Sequence, residues 1–267
     1  MTYQPVLPSG GLVGFSFLTR TLNTQTAAFN NSAPIARDTA YFEANIGEVK
    51  TAEDLVSDRR LLRVALGAFG LSDDINSRAF VQQILEGGSE ANDALANRLA
   101  DDRYSDFAEA FGFGNPSGAR TAEPGFTSDI ISKFRAREFE VAVGNQDQSM
   151  RLALDAERSL PAIAALTGTE ETRWLKIIGN PPLRKVFEAA LGLPQSFGTI
   201  DLDKQVEVFR DRASRQLGIS SLTELAEPEQ RDALVQRFLI MDQVNSFSSQ
   251  SSGSVALTLL QSMPRRF

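Results

Sequence analysis

The chain has 267 residues, 42% of them hydrophobic and 23% charged, with a net charge of -7 and a pI near 4.9. This length suits one large domain or two smaller ones, and the apolar fraction is too high for disorder throughout. The chain holds no cysteine and no histidine, which excludes disulfides, thiolate nucleophiles, Cys/His zinc sites, His-ligated haem and any Ser-His-Asp triad. The acidic balance speaks against a general grip on nucleic acid or an anionic membrane, because both need clustered Lys and Arg.

The first residues carry no basic region, and Pro8, Gly10 and Gly11 interrupt their apolar stretch before a signal-like core forms. No uncharged apolar run reaches the roughly 18 residues of a membrane-spanning helix, so no transmembrane segment is expected. Residues 1–30 read as a flexible segment with one modest helix, in which Phe15, Leu18, Leu22 and Phe29 recur at helical spacing.

Residues 31–113 read as a first helical lobe. Its strongest helix spans 51–69, with Leu55, Leu62, Leu66 and Phe69 on one stripe and Glu53 and Asp54 at its anion-favouring start. Gly70 stops it, and Leu71 is placed to fold back on Leu66 in a Schellman ending. A helix near Asn76 follows, carrying Phe80, Val81, Ile84 and Leu85, and stops at Gly87 and Gly88. Two more are expected over 90–99 and 104–111, the last ending at Gly112 and Phe113. Residues 114–127, rich in Gly and Pro and without periodicity, read as an inter-lobe linker.

A second lobe is expected over 128–245. Its first helix carries Ile131, Phe134, Glu138 and Val141 to a stop at Gly144, and the next, 149–165, is crossed by Pro161. Asn180 then caps a helix opened by Pro181 and Pro182 and closed by Gly192 and Leu193. Helices over 203–217 and 228–244 complete the lobe, the first ending at Gly218 and Ile219. Residues 246–267 read as a flexible tail with a helical turn or two over 255–260. The fold class is therefore all-α and multihelical, in two lobes with flexible termini. LLRVALGAFGL at 61–71 lines up with LRKVFEAALGL at 183–193, which suggests duplication of a helical unit; two amphipathic helices with Gly caps would also resemble each other by shared physics.

No catalytic, cofactor or metal residue stands out. Asp73-Asp74, Asp101-Asp102 and Glu170-Glu171 are adjacent carboxylates, but neighbours on a helix point about 100° apart and these sit where helices start, so capping is the stronger reading. The segment DDRYSDF at 101–107 is the densest polar cluster and could bind a ligand; capping by Asp102 or Ser105 and a structural ion pair from Arg103 compete with that. Ser57-Asp58-Arg59-Arg60 lies within a predicted helix and suggests an inter-lobe ion pair. The GNPSG at 114–118 lacks the strand and Lys of a phosphate loop. Trp174 is expected in the core or between the lobes.

TAEDLVSDRRLLRVALGAFGL at 51–71, LADDRYSDFAEAFGF at 99–113, RWLKIIGNPPLRKVFEAALGLPQSFGTIDLDKQ at 173–205 and RFLIMDQV at 237–244 resemble an alphaproteobacterial family of uncharacterised multihelical proteins, commonly encoded in flagellar gene clusters. The resemblance spans most of the chain and carries no catalytic residue. It implies a non-enzymatic protein that takes part in flagellar assembly or structure through protein contacts, either cytoplasmic or exported to the flagellum without a cleaved signal. The alternative from another class is a small-molecule binder or enzyme with an inter-lobe carboxylate and Arg pocket.

Overall fold

The structure is a computed structural model that describes residues 3–262. Among these residues there is no strand, and thirteen α-helices follow in order: α1 (Gly11–Asn30), α2 (Ala33–Asn45), α3 (Ala52–Ser57), α4 (Arg59–Phe69), α5 (Arg78–Gly87), α6 (Leu95–Arg98), α7 (Arg103–Phe111), α8 (Phe126–Gly144), α9 (Gln148–Ala164), α10 (Glu170–Ile178), α11 (Pro181–Ala190), α12 (Leu202–Leu217) and α13 (Pro228–Ser262). The all-α reading is correct. No helix among the described residues is long and apolar enough to cross a membrane.

Local chemistry sets the breaks. The helix expected over 51–69 is two helices: Asp58 leaves helical geometry, and its carboxylate accepts from the N–H groups of Arg60 at 2.8 Å and Leu61 at 3.1 Å, capping α4. Ser57-Asp58-Arg59-Arg60 is thus a junction rather than helix interior. Upstream, Thr51 and Asp54 cap α3 reciprocally. At the far end of α4, Gly70 takes φ 72°, and Leu71 N–H donates to the Leu66 carbonyl at 2.9 Å, as the Schellman expectation requires.

Three expected segments differ in the structure. Residues 114–127 are built into the first half instead of linking lobes: the Thr121 hydroxyl donates to the buried Val49 carbonyl at 2.6 Å, and Asn115 accepts from Ser89 N–H at 2.9 Å. The chain instead passes between halves at residues 145–147, the turn joining α8 to α9. At the N-terminus, α1 is a full 20-residue helix. The segment before it is pinned by Gln25, whose side-chain amide both accepts from Val6 N–H at 2.7 Å and donates to Val6 O at 3.2 Å. The expected break over 246–253 is also absent, since α13 continues as backbone helix to Ser262. Residues 263–267 of that tail lie outside the described residues.

The two halves have the same plan. The series α2, α3, α4, α5 and α8 is matched by α9, α10, α11, α12 and α13. In both series the first helix packs on the third and last, the second on the third and fourth, and the third on the last. A short 3-10 turn follows the third helix each time, at Ser72–Asn76 and Gln195–Thr199. The N-caps Asp58 and Asn180 and the stops Gly70 and Gly192 are both 122 positions apart, and Leu193 N–H donates to Glu188 O at 2.8 Å just as Leu71 does to Leu66. A further likeness lies in the last helices, where AEPGFTSDIISKF at 122–134 matches AEPEQRDALVQRF at 226–238 and brings Phe134 and Phe238 to the same fully buried role. Shared order, shared pairing and shared caps support duplication over a chance likeness of two helices.

Each half has its own aromatic knot: Phe69, Phe107, Phe111 and Phe126 in the first, and Trp174, Phe187, Phe197 and Phe209 in the second. Trp174 is 2% exposed, a core residue as expected. One continuous apolar core joins both knots, with the antiparallel pair α8 and α9 at its centre.

Candidate functional site

Where α7 and α8 of the first half meet α9 and α10 of the second, the surface opens into a cleft of about 870 Å3. Its apolar lining includes Phe69, Phe126, Ile130, Ile163 and Leu166. Charge arrives from both halves. On α7, Asp102 and Asp106 share Lys176 of α10, at 3.4 and 3.7 Å, and Asp102 N–H donates across the junction to Gly179 O at 2.9 Å. On α8, Lys133 pairs with Asp129 at 2.8 Å, and Arg120 pairs with Glu123 at 3.1 Å on the preceding turn.

Arg137 and Arg158 of the lining belong to a buried ion network between α8 and α9. Arg137 reaches Asp155 at 3.2 Å, while Arg158 holds Glu140 through two bonds of 2.6 and 3.2 Å and also contacts Asp155. Glu140 and Asp155 are 5% and 3% exposed, so each carboxylate has exchanged water for guanidinium. The balance is imperfect: Asp155 Oδ2 is buried with no hydrogen bond. Burial raises the Glu140 carboxyl above its ordinary value against the pull of Arg158, and burial together with the charge of Arg158 lowers Arg137. Nearer the mouth, desolvation by the cleft walls raises Asp102 and Asp106 above the ordinary aspartate value; Lys176 offsets only part of this.

The polar segment 101–107 therefore does border a cleft, though not by the expected caps. Neither Asp102 nor Ser105 caps α7 with its side chain; Ser105 donates to Asn97 at 2.8 Å. Asp101 instead accepts from Arg103 N–H at 3.1 Å and grips its guanidinium at 2.6 Å, the predicted structural ion pair, and Arg103 also donates to the Gly70 carbonyl. Tyr104 donates to Asp74 at 2.7 Å, and burial together with Asp74 pushes its phenol up to about 12. The remaining acidic pair, Glu170-Glu171, opens α10, where Glu170 accepts from Ser221 and from Leu222 N–H, tying α10 to residues 221–222. The ion pairs of Arg60 and Arg63 to Asp38 join α4 to α2 within the first half, not across lobes.

Sequence reasoning missed the network residues Arg137, Glu140, Asp155 and Arg158. It had placed Glu138 on the buried stripe of α8; in the structure Glu140 is the buried one, and Glu138 lies against Arg63. The usable signal was an Arg and an acid three apart on each of two consecutive helices, 137/140 and 155/158, a pattern that lets facing helices exchange partners. Among the described residues no group of three or more acidic side chains could hold a metal ion.

The fold and cleft define an all-helical protein of two similar halves with a charged groove at their junction. A family model described as a protein of unknown function (DUF1217) matches residues 68–230, and the chain belongs to that family. Every cleft residue, from Ala68 to Asn180, falls within the match. The crystal structure of protein AGR_C_984 from Agrobacterium tumefaciens, a structural genomics target, is similar with a TM-score of 0.73 at 26% identity, over 91% of this chain and 99% of that one. No curated protein matches.

Proposed function

We propose that the protein is non-enzymatic and acts through protein–protein contacts in flagellar assembly or structure. One observation carries the contact reading: all five cations of the cleft, Arg120, Lys133, Arg137, Arg158 and Lys176, are already paired with carboxylates of the chain itself. Such a groove presents a fixed charge pattern over an apolar bed, which suits recognition of a surface. The flagellar context rests on the resemblance of segments 51–71, 99–113, 173–205 and 237–244. It fits a protein working in the cytoplasm or exported to the flagellum without a cleaved signal. Deleting the gene and scoring swimming and filament number tests it; normal motility with normal filaments sinks it.

The rival reading, a small-molecule binder or enzyme, has the raised carboxyls of Asp102 and Asp106 in its favour. A metabolite that raises the melting temperature of the wild type and not of Asp102→Asn would establish that reading instead.

A further inference from the structure

One wall of the cleft is locally acidic. Asp102, the N-cap of α7, and Asp106 and Glu109 on it follow at spacings of four and three, one face of a helix, and line the cleft. Lys176 pairs with the two aspartates, and Lys133 and Arg137 of α8 also act on Asp106, while among the described residues Glu109 makes no ion pair. Beside this acidic wall lie Ile163 and Leu166, the latter 36% exposed. The occupant that this surface fits carries positive charge next to apolar side chains.

The chain contains such a stretch. After Asp242 no acidic residue follows, and the only charges from 243 to 267 are Arg265 and Arg266, set between Met263 and Phe267. With a net charge of -7 for the whole chain, these two cations leave -9 to the rest.

Its own cleft is out of reach of this stretch. Helix α13 runs antiparallel to α9: Arg231 meets Glu157 at 3.4 Å, whereas Gln243 lies against Gly11 at the end of the molecule where Asp147 meets Gly10. The cleft is lined by the opposite end of α9, from Arg158 to Ile163, so at 1.5 Å per residue Ile163 is about 24 Å from Asp147. Gln243 to Ser246 are exposed, and the α13 backbone continues to Ser262, about 28 Å beyond Gln243 in the other direction. Residues 263–267 span at most about 18 Å when extended, far short of the return distance.

We infer that the cleft between the two halves receives the Arg265-Arg266 segment of a second copy of this chain, with the arginines against Asp106 and Glu109 and the neighbouring apolar residues on Ile163 and Leu166. This deepens the contact reading above and rests on it. The joint is heterologous, cleft to tail, so successive copies continue into an open chain or close into a ring.

Sedimentation velocity of the full chain over a wide concentration range tests it. The sedimentation coefficient rises with concentration at low salt and falls back at high salt, where exposed ion pairs are screened. Asp106→Arg with Glu109→Arg abolishes the rise, as does Arg265→Glu with Arg266→Glu. Asp106 and Glu109 are exposed, and unchanged far-UV circular dichroism of both variants shows that the fold is kept. An equimolar mixture of the two variants regains association, since the reversed tail meets the reversed cleft. A monomer at every concentration, an association that ignores the cleft variant, or a mixture that stays monomeric each overturns the inference. If the chain is monomeric but deletion of the gene still abolishes swimming, the tail joint is wrong and the proposed function stands. If the chain associates and deletion leaves motility normal, the joint stands and the flagellar role falls.

Discussion

At the residue scale, two buried or half-buried aspartates act in opposite ways. Asp58 caps α4 and also accepts from the Tyr41 hydroxyl at 2.7 Å. Burial alone would raise its pKa, but the bonds from Tyr41 and from the N–H groups of Leu61 and Arg60 outweigh that and hold it below the ordinary 3.8. A carboxyl lowered in the folded state contributes stability above its unfolded value and loses it as pH falls through the folded one. Asp58→Ala should therefore cost about 1–2 kcal/mol at pH 7 in denaturant melts, with the deficit shrinking as the pH drops below about 4. A deficit that stays constant to low pH would separate the cap from the charge. Asp155 is different, because its loss strands Arg137 in the α8 and α9 interface and leaves Arg158 with Glu140 alone. Asp155→Ala should destabilise by about 3–5 kcal/mol, the usual penalty for breaking one side of a buried pair; a loss under about 1 kcal/mol in urea titration would show that water already reaches the site. The two residues differ in legibility. A cap is local, and Asp58 still went unread because the apolar stripe ran unbroken through it. Asp155 becomes visible only when α8 and α9 face each other.

At the element scale, α4 packs closely on α8. A Cβ on Gly67 would lie 2.7 Å from Phe134 Cδ2 and 2.8 Å from Cε2, and that ring is 0% exposed with nowhere to step aside. Alanine is favoured over glycine in a helix by about 1 kcal/mol, so propensity and packing oppose each other here. Overpacking in a filled core costs about 1–3 kcal/mol. Gly67→Ala should lower the melting temperature, and Gly67→Ala with Phe134→Leu should recover part of the loss. A stabilised single variant would mean that the two helices simply move apart. The helices that sequence reasoning found, such as α4 and α11, have broad apolar faces and a stop residue. It missed α2 because its buried stripe runs through Thr39, which back-bonds to Ile35 O at 2.9 Å. The face is intact, but one of its members is not apolar, and periodicity counts only apolar residues.

At the scale of the whole molecule, duplication makes a claim about cooperativity. Each half has an aromatic knot and its own set of helix pairs, so each resembles a folding unit. The apolar core nevertheless runs through both, and the ion network of Arg137, Asp155, Arg158 and Glu140 ties α8 of one half to α9 of the other. Residues 114–127 read as a linker in the sequence because Gly and Pro mark a loop without saying which helices that loop serves. The turn between α8 and α9, three residues at 145–147, is too short to look like a linker. Trp174 is the sole tryptophan and reports on the second half alone, whereas far-UV circular dichroism sums both. In the wild type the two probes should trace one coincident urea transition, the mark of a single cooperative unit. Arg158→Ala removes the side chain that links Glu140 to Asp155 across the junction and touches neither knot. In that variant the fluorescence and dichroism curves should separate, the two halves unfolding at different urea concentrations as subglobal units. If the curves still coincide after the junction is weakened, the apolar core alone couples the halves and the ion network plays no part in joining them.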